Sequence, residues 1–204
     1  MITNYDFVFR QRKRRIPDGT KLLLHVCCAP CATYCLTRLI DKFDVTLCYA
    51  NDNITDYAEW QKRLDEITKL VDIVNNGAFE VQPKYPLKLV VQPFDSNRFF
   101  AVAKGLEREV EGGARCEQCF KLRLGDTLRY AEQHNFDYFC TTLTVSRHKN
   151  SMLLNQIGLA LQSDVQWLMA DFKKHNGFDE SIRLAEKYGL YRQEYCGCSF
   201  SQVE

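Results

Sequence analysis

The sequence predicts a single α/β domain of the Rossmann-like (HUP-like) class, a mostly parallel sheet with helices on both faces. Short apolar runs bounded by turn residues alternate along the chain with longer segments of helical periodicity. At 204 residues the chain suits one hydrophobic core better than two small ones. Its hydrophobic share, 46%, is that of an ordinary soluble domain, and no run approaches the roughly 18 consecutive apolar residues of a membrane span.

KLLLHV at 21–26 reads as a buried strand ending in an Ala-Pro turn, and a helix is expected over about 32–41. DVTLCYA at 44–50 is a second buried strand. Residues 55–74 carry Tyr57, Trp60, Leu64, Ile67 and Leu70 at helical spacing. KLVVQPF at 88–94 is the third strand, after which 97–110 and 118–134 read as helices divided by Gly112 and Gly113. A fourth strand is expected over 136–144, a helix over 149–162, an edge strand over 165–169 and a last short helix over 179–188. Residues 75–86 are the expected flexible connection, and residues 1–20 a basic N-terminal arm. The arm orders apolar before basic residues, the reverse of a secretory leader, so the expected location is the cytoplasm.

In a parallel sheet, ligands bind beyond the carboxyl ends of the strands. That rule gathers Cys27 and Cys28, residues 51–53, Asp95 and the loop 141–150 at one edge. Formal net charge is only +1, so nucleic acid would have to be met by local basic patches. One candidate is the run Arg10, Arg12, Lys13, Arg14 and Arg15, which reads equally well as a solvated arm.

Ten cysteines in a chain expected in a reducing compartment point to metal binding or thiol redox chemistry rather than structural disulfides. Cys35, Cys48 and Cys140 lie singly in apolar segments and read as buried packing residues. Cys27, Cys28 and Cys31 in HVCCAPC sit on a strand-to-helix turn, where backbone amides and the helix dipole favour thiolates. Neighbouring His25 suits a structural role as well as a functional one. The C-x-x-C spacing of Cys116 and Cys119 lets two sulfurs grip one metal or one cluster, leaving zinc, a dithiol pair and a cluster all open. Cys196 and Cys198 in YCGC would close a tight, easily reduced ring on oxidation, or serve as two more metal ligands. Ser146, Arg147, His148 and Lys149, at the start of the helix after the fourth strand, suit phosphate or ribose binding; a polar helix cap explains them too. Lys173 and Lys174 read as solvated surface.

Taken together and in order, HVCCAPC, RCEQC followed by FKLRL, TTLTVSRHKN, DFKK and the terminal YRQEYCGCSFS resemble the QueH family of epoxyqueuosine reductases across nearly the whole chain. Two segments depart from the family pattern, YANDNI at 49–54 and Ser146-Arg147-His148, each lacking a proline common there. The resemblance implies the last step of queuosine synthesis, deoxygenation of an epoxide on a modified tRNA base to an alkene, without cobalamin. It implies a four-iron, four-sulfur cluster on Cys27, Cys28, Cys116 and Cys119, a redox-active pair at Cys196 and Cys198, and an additional iron for which Cys31 and Asp95 are candidates. The implied partners are tRNA carrying epoxyqueuosine and an electron donor that the residues do not identify. Two rivals remain at this stage. A cluster-dependent tRNA thiolase would need a pyrophosphate-binding Ser-Gly-Gly-x-Asp-Ser loop where this chain has HVCCAPC. A zinc-stabilised RNA-binding module would use the same thiolates without catalysis.

Overall fold

The computed structural model describes residues 3–201. Five strands, β1 (Lys21–His25), β2 (Asp44–Tyr49), β3 (Lys88–Val91), β4 (Tyr138–Thr141) and β5 (Gln166–Trp167), form one sheet. Every pairing is parallel and the order is β3-β2-β1-β4-β5. The expected α/β class is therefore the observed one, with a topological switch between β1 and β4, where such sheets open a crevice at their carboxyl edge.

The pleat of β1 shows how the sheet divides its two cores. Leu22 and Leu24 join one apolar cluster, while Leu23 points to the other. All three are fully buried, contributing about 1.5–3 kcal/mol each by removal from water. The first face is covered by α1 (Tyr5–Arg15), α2 (Ala29–Thr37), α3 (Tyr57–Asn75) and α7 (Gly177–Lys187). The second lies under α5 (Ala114–Gln133) and α6 (Ser151–Leu161), and α4 (Ser96–Ala103) packs on α5. Among the described residues no helix is long and apolar enough to cross a membrane.

Five differences from the sequence reading stand out. The basic run expected as an arm is helix α1: Asn4 caps it, Phe9 is buried, and Asp6 binds Arg10, Arg38 and His175. Helix α2 begins at Ala29, three residues earlier than expected, because Pro30 suits a first turn that lacks hydrogen-bonded amides. Helix α5 likewise begins at Ala114 rather than 118, so RCEQC is helical. Buried Arg115 makes this possible by donating to the carbonyls of Leu106, Glu107 and Glu109, which folds the preceding loop against the helix start. The fourth strand ends at Thr141, whose hydroxyl accepts from the Leu143 amide and starts a 3₁₀ turn over Thr142–Val145. The 75–86 connection is pinned by Asn75, whose amide bonds both the N–H and the C=O of Leu87.

Candidate metal centre and its cavities

Cys27 and Cys28 leave the end of β1, and Cys28 is the N-cap residue of α2, with Cys31 one turn on. The three sulfurs lie within 4.8 Å of one another, the Cys27 and Cys28 pair at 3.8 Å. Hydrogen bonds from the Cys28 and Cys31 thiols hold Cys27 well below the usual thiol value, and the Arg123 and Lys149 charges act the same way. Burial pushes Cys28 up to about 12. One sulfur in this nest is thus strongly disposed to be a thiolate, the form that binds metal.

The second sulfur group forms around the start of α5. Cys116 accepts a hydrogen bond from the Gly112 amide at 3.2 Å. Cys119 shares an apolar cluster with Cys198, Phe99 and Ala103. Cys116, Cys119, Cys196 and Cys198 line one small cavity of about 20 Å³. A larger cleft of about 250 Å³ adjoins it, lined by Cys27, Cys31, Lys149, Phe178, Tyr195 and again Cys196. Cys196 is thus the sulfur common to both spaces.

Arg123 links the two groups. It is 1% exposed, lies within 4.0 Å of the Cys119 sulfur, and donates at 2.6 Å to Asn51 Oδ1. Asn51 in turn donates to the Val26 carbonyl at 2.8 Å, tying the guanidinium to the end of β1. Burial opposes the charge on Arg123, but nearby Cys119, Cys27 and Cys196 outweigh it and raise its pKa. Lys149 behaves alike: burial works against its charge, and Cys196, Cys27 and Cys31 more than compensate. Asn53, 1% exposed, lines the small cavity with neither of its side-chain polar atoms bonded to a protein group. A buried primary amide left this way costs about 1–3 kcal/mol per unmatched group, so it suits a site that receives something polar or ionic.

The family model described as epoxyqueuosine reductase QueH matches residues 22–204. The chain belongs to that family. Over 210 residues it is 37% identical to the epoxyqueuosine reductase QueH of Staphylococcus epidermidis, covering 98% of this chain and 85% of the relative. The Streptococcus pyogenes protein of the same name is 36% identical over 97% of this chain and 78% of its own. That of Thermotoga maritima is 30% identical over 90% and 91%.

Within this QueH-family chain, the structure distributes the sequence candidates unevenly. Cys27 and Cys28 lie in the first sulfur group, and Cys116 and Cys119 lie in the second with Cys196 and Cys198. Ser146, His148 and Lys149 line the larger cleft. Arg147 instead pairs with Asp179 at 2.5 Å and lies over the Phe178 ring. Asp95 caps α4 through the Asn97 amide and lines neither cavity. Lys173 pairs with Asp171 at 3.0 Å. His25 is structural: fully buried, it bridges Thr141 Oγ1 at 2.8 Å and the Ala50 carbonyl at 3.2 Å, and burial pushes its pKa down to about 3. Cys35, Cys48 and Cys140 are buried free thiols, as expected. In the basic run, Arg12 donates to the Trp167 carbonyl, Lys13 to Asp41 and exposed Arg10 to Asp6, which leaves Arg14 and Arg15 as its exposed cations without an ion pair among the described residues.

Sequence reading missed Arg123, Asn51 and Asn53 as individual site residues. For Arg123 a signal was present, since it lies one helical turn beyond Cys119 and so on the same face.

Proposed function

We propose that this protein reduces epoxyqueuosine in tRNA to queuosine, the last step of that synthesis, in the cytoplasm. The observation that carries the reading is that six of the seven clustered cysteines line two adjoining cavities at the carboxyl edge of the sheet, with Cys28 beside Cys27 and Cys31, in a chain of this family. Written in full, the reaction takes up two electrons and two protons, breaks both epoxide C–O bonds, and yields an alkene and water.

Cys27, Cys28, Cys116 and Cys119 would hold the four-iron, four-sulfur cluster. The donor set fits, being all thiols, with Arg123 and Lys149 beside it to offset thiolate charge and the unpartnered Asn53 amide free to donate to sulfur. When bound, such a cluster supplies single electrons at low potential, and an additional iron supplies Lewis acidity toward the epoxide oxygen. Cys31 is the candidate ligand for that iron; Asp95 would have to give up its cap on α4 to join it. The protein's own groups do the rest. Lys149 holds a proton at Nζ beside the larger cleft and is the donor to the leaving oxygen. Cys196 and Cys198 together release two electrons and two protons as their S–S bond forms, which balances the reduction.

A base splayed from a tRNA loop would enter the larger cleft between Phe178 and Tyr195, with Ser146 and His148 at the phosphate. Incubating anaerobically purified protein with epoxyqueuosine-containing tRNA and dithionite, without ATP, should yield queuosine by nucleoside analysis. Failure with an intact iron–sulfur centre would overturn the substrate assignment. A requirement for ATP would favour the thiolase. Bound zinc with no sulfide would favour the RNA-binding module.

A further inference from the structure

Arg63 on α3 is buried, 1% exposed, yet the chemistry above makes no use of it. Its Nε donates to Glu59 at 2.7 Å, and its two terminal nitrogens donate to the Cys196 carbonyl at 3.1 Å and the Tyr195 carbonyl at 3.2 Å. The same Glu59 accepts from the Tyr191 hydroxyl at 3.2 Å. Just upstream, Thr55 completes the dock: its N–H donates to the Gly197 carbonyl and its hydroxyl accepts from the Ser199 amide, both at 3.1 Å. Gly197 lies at φ +118°, and a Cβ there would come within 2.9 Å of Ile54 Cγ1, so only glycine lets the chain approach this closely. The backbone of the Cys-Gly-Cys segment is therefore fastened on both sides by the loop and helix that follow β2.

A buried arginine that satisfies two carbonyls and a carboxylate costs several kcal/mol of desolvation to place. A solvated tail would need no such residue. The contacts are made with both cysteines present as thiols. A disulfide between residues two apart fixes their Cα separation and Cβ directions within narrow limits. The Tyr195 and Cys196 carbonyls that Arg63 holds belong to the backbone on which that bond would act.

We infer that Arg63, braced by Glu59, is a positioning residue that holds the Cys196–Cys198 segment in its dithiol conformation and so keeps the pair poised to be reduced again after each turnover. The inference rests on reading Cys196 and Cys198 as the redox pair. Closing the pair with glutathione disulfide forms one S–S bond within the protein and passes two electrons and two protons to give two molecules of glutathione.

The test equilibrates the full chain, purified anaerobically, with graded ratios of reduced to oxidised glutathione. Acid quenching, alkylation and trypsin follow, and mass spectrometry reads the peptide 193–204, which contains Cys196 and Cys198 and no other cysteine. In Arg63→Met the disulfide should become at least about tenfold more favoured, equivalent to about 30 mV for a two-electron couple. Arg63→Lys, which keeps the charge and some donors, should fall between the two. An equilibrium unchanged from wild type in both variants would overturn the positioning role. If Arg63→Met does not fold, Arg63→Lys and Glu59→Gln carry the test on the same readout. A wild-type chain that never forms this disulfide would instead sink the redox-pair reading itself.

Discussion

Cys27, Cys28 and Cys31 sit on one strand-to-helix turn, whereas Cys116 and Cys119 ride on α5 and meet Cys196 and Cys198 only because the tail folds back over α3. Both groups sit at a helix N-terminus, where the dipole and free amides favour thiolates, but burial prevails in the second and pushes Cys116 up and Cys119 up to about 12. They differ in what assembles them. Local backbone geometry suffices for the first group once β1 and α2 form. The second depends on side chains reaching beyond their own helix: Arg115 gathering the loop before α5, and Arg63 fastening the tail from far along the chain. A site of this design couples a three-sulfur nest set by the fold, with one low-pKa thiol at Cys27, to a sulfur group that tertiary contacts can tune.

The largest effect that probes this comparison comes from removing one sulfur on each side. Cys28→Ser and Cys119→Ser should each lower conversion of epoxyqueuosine by more than the ~100-fold typical of losing an outer-shell partner. Near-wild-type turnover in Cys119→Ser would mean that the first group works alone. Next in size is Arg123→Met, which removes the cation shared by the two groups. Iron retention against a chelator should weaken by about 10–100-fold, as for other residues that orient metal ligands. Retention equal to wild type would show that the groups do not share charge compensation. Cys31→Ser should be milder, lowering the iron-to-sulfide ratio while sulfide stays bound; loss of sulfide would make Cys31 a cluster ligand. Smallest is His25→Leu, which removes one partner of the Thr141 hydroxyl and the ring contact to the Ala50 carbonyl at the ends of β4 and β2. A cost of about 1–2 kcal/mol, or about 2–8 °C in Tm, is expected with iron content unchanged.

The sheet was legible because its signal is local: apolar runs such as KLLLHV and DVTLCY fall within a residue or two of β1 and β2. The first sulfur group was legible for the same reason, since all its members share one turn. What escaped was set by single buried cations acting at a distance. Arg63 occupies a position in the stripe Trp60, Ile67, Leu70 and Val74 that otherwise faces the core. The helical start of RCEQC escaped because Arg115 satisfies carbonyls eight and nine residues upstream, a tertiary event with no periodic trace. Helix α1 was masked by its charge: buried Asp6 pairs with exposed Arg10 and half-buried Arg38, and Phe9 enters the core, so a run that reads as solvated arm is anchored to the fold.

The claim on which everything else depends is that the two sulfur groups jointly hold one cluster. Iron, zinc and acid-labile sulfide should be measured per chain in anaerobically purified wild type and in the double variant Cys116→Ser, Cys119→Ser. Wild type should carry about four irons and four sulfides, with any further iron beyond them, and the variant should lose both elements. Zinc without sulfide in wild type, or a full iron–sulfur complement kept by the double variant, would contradict that claim.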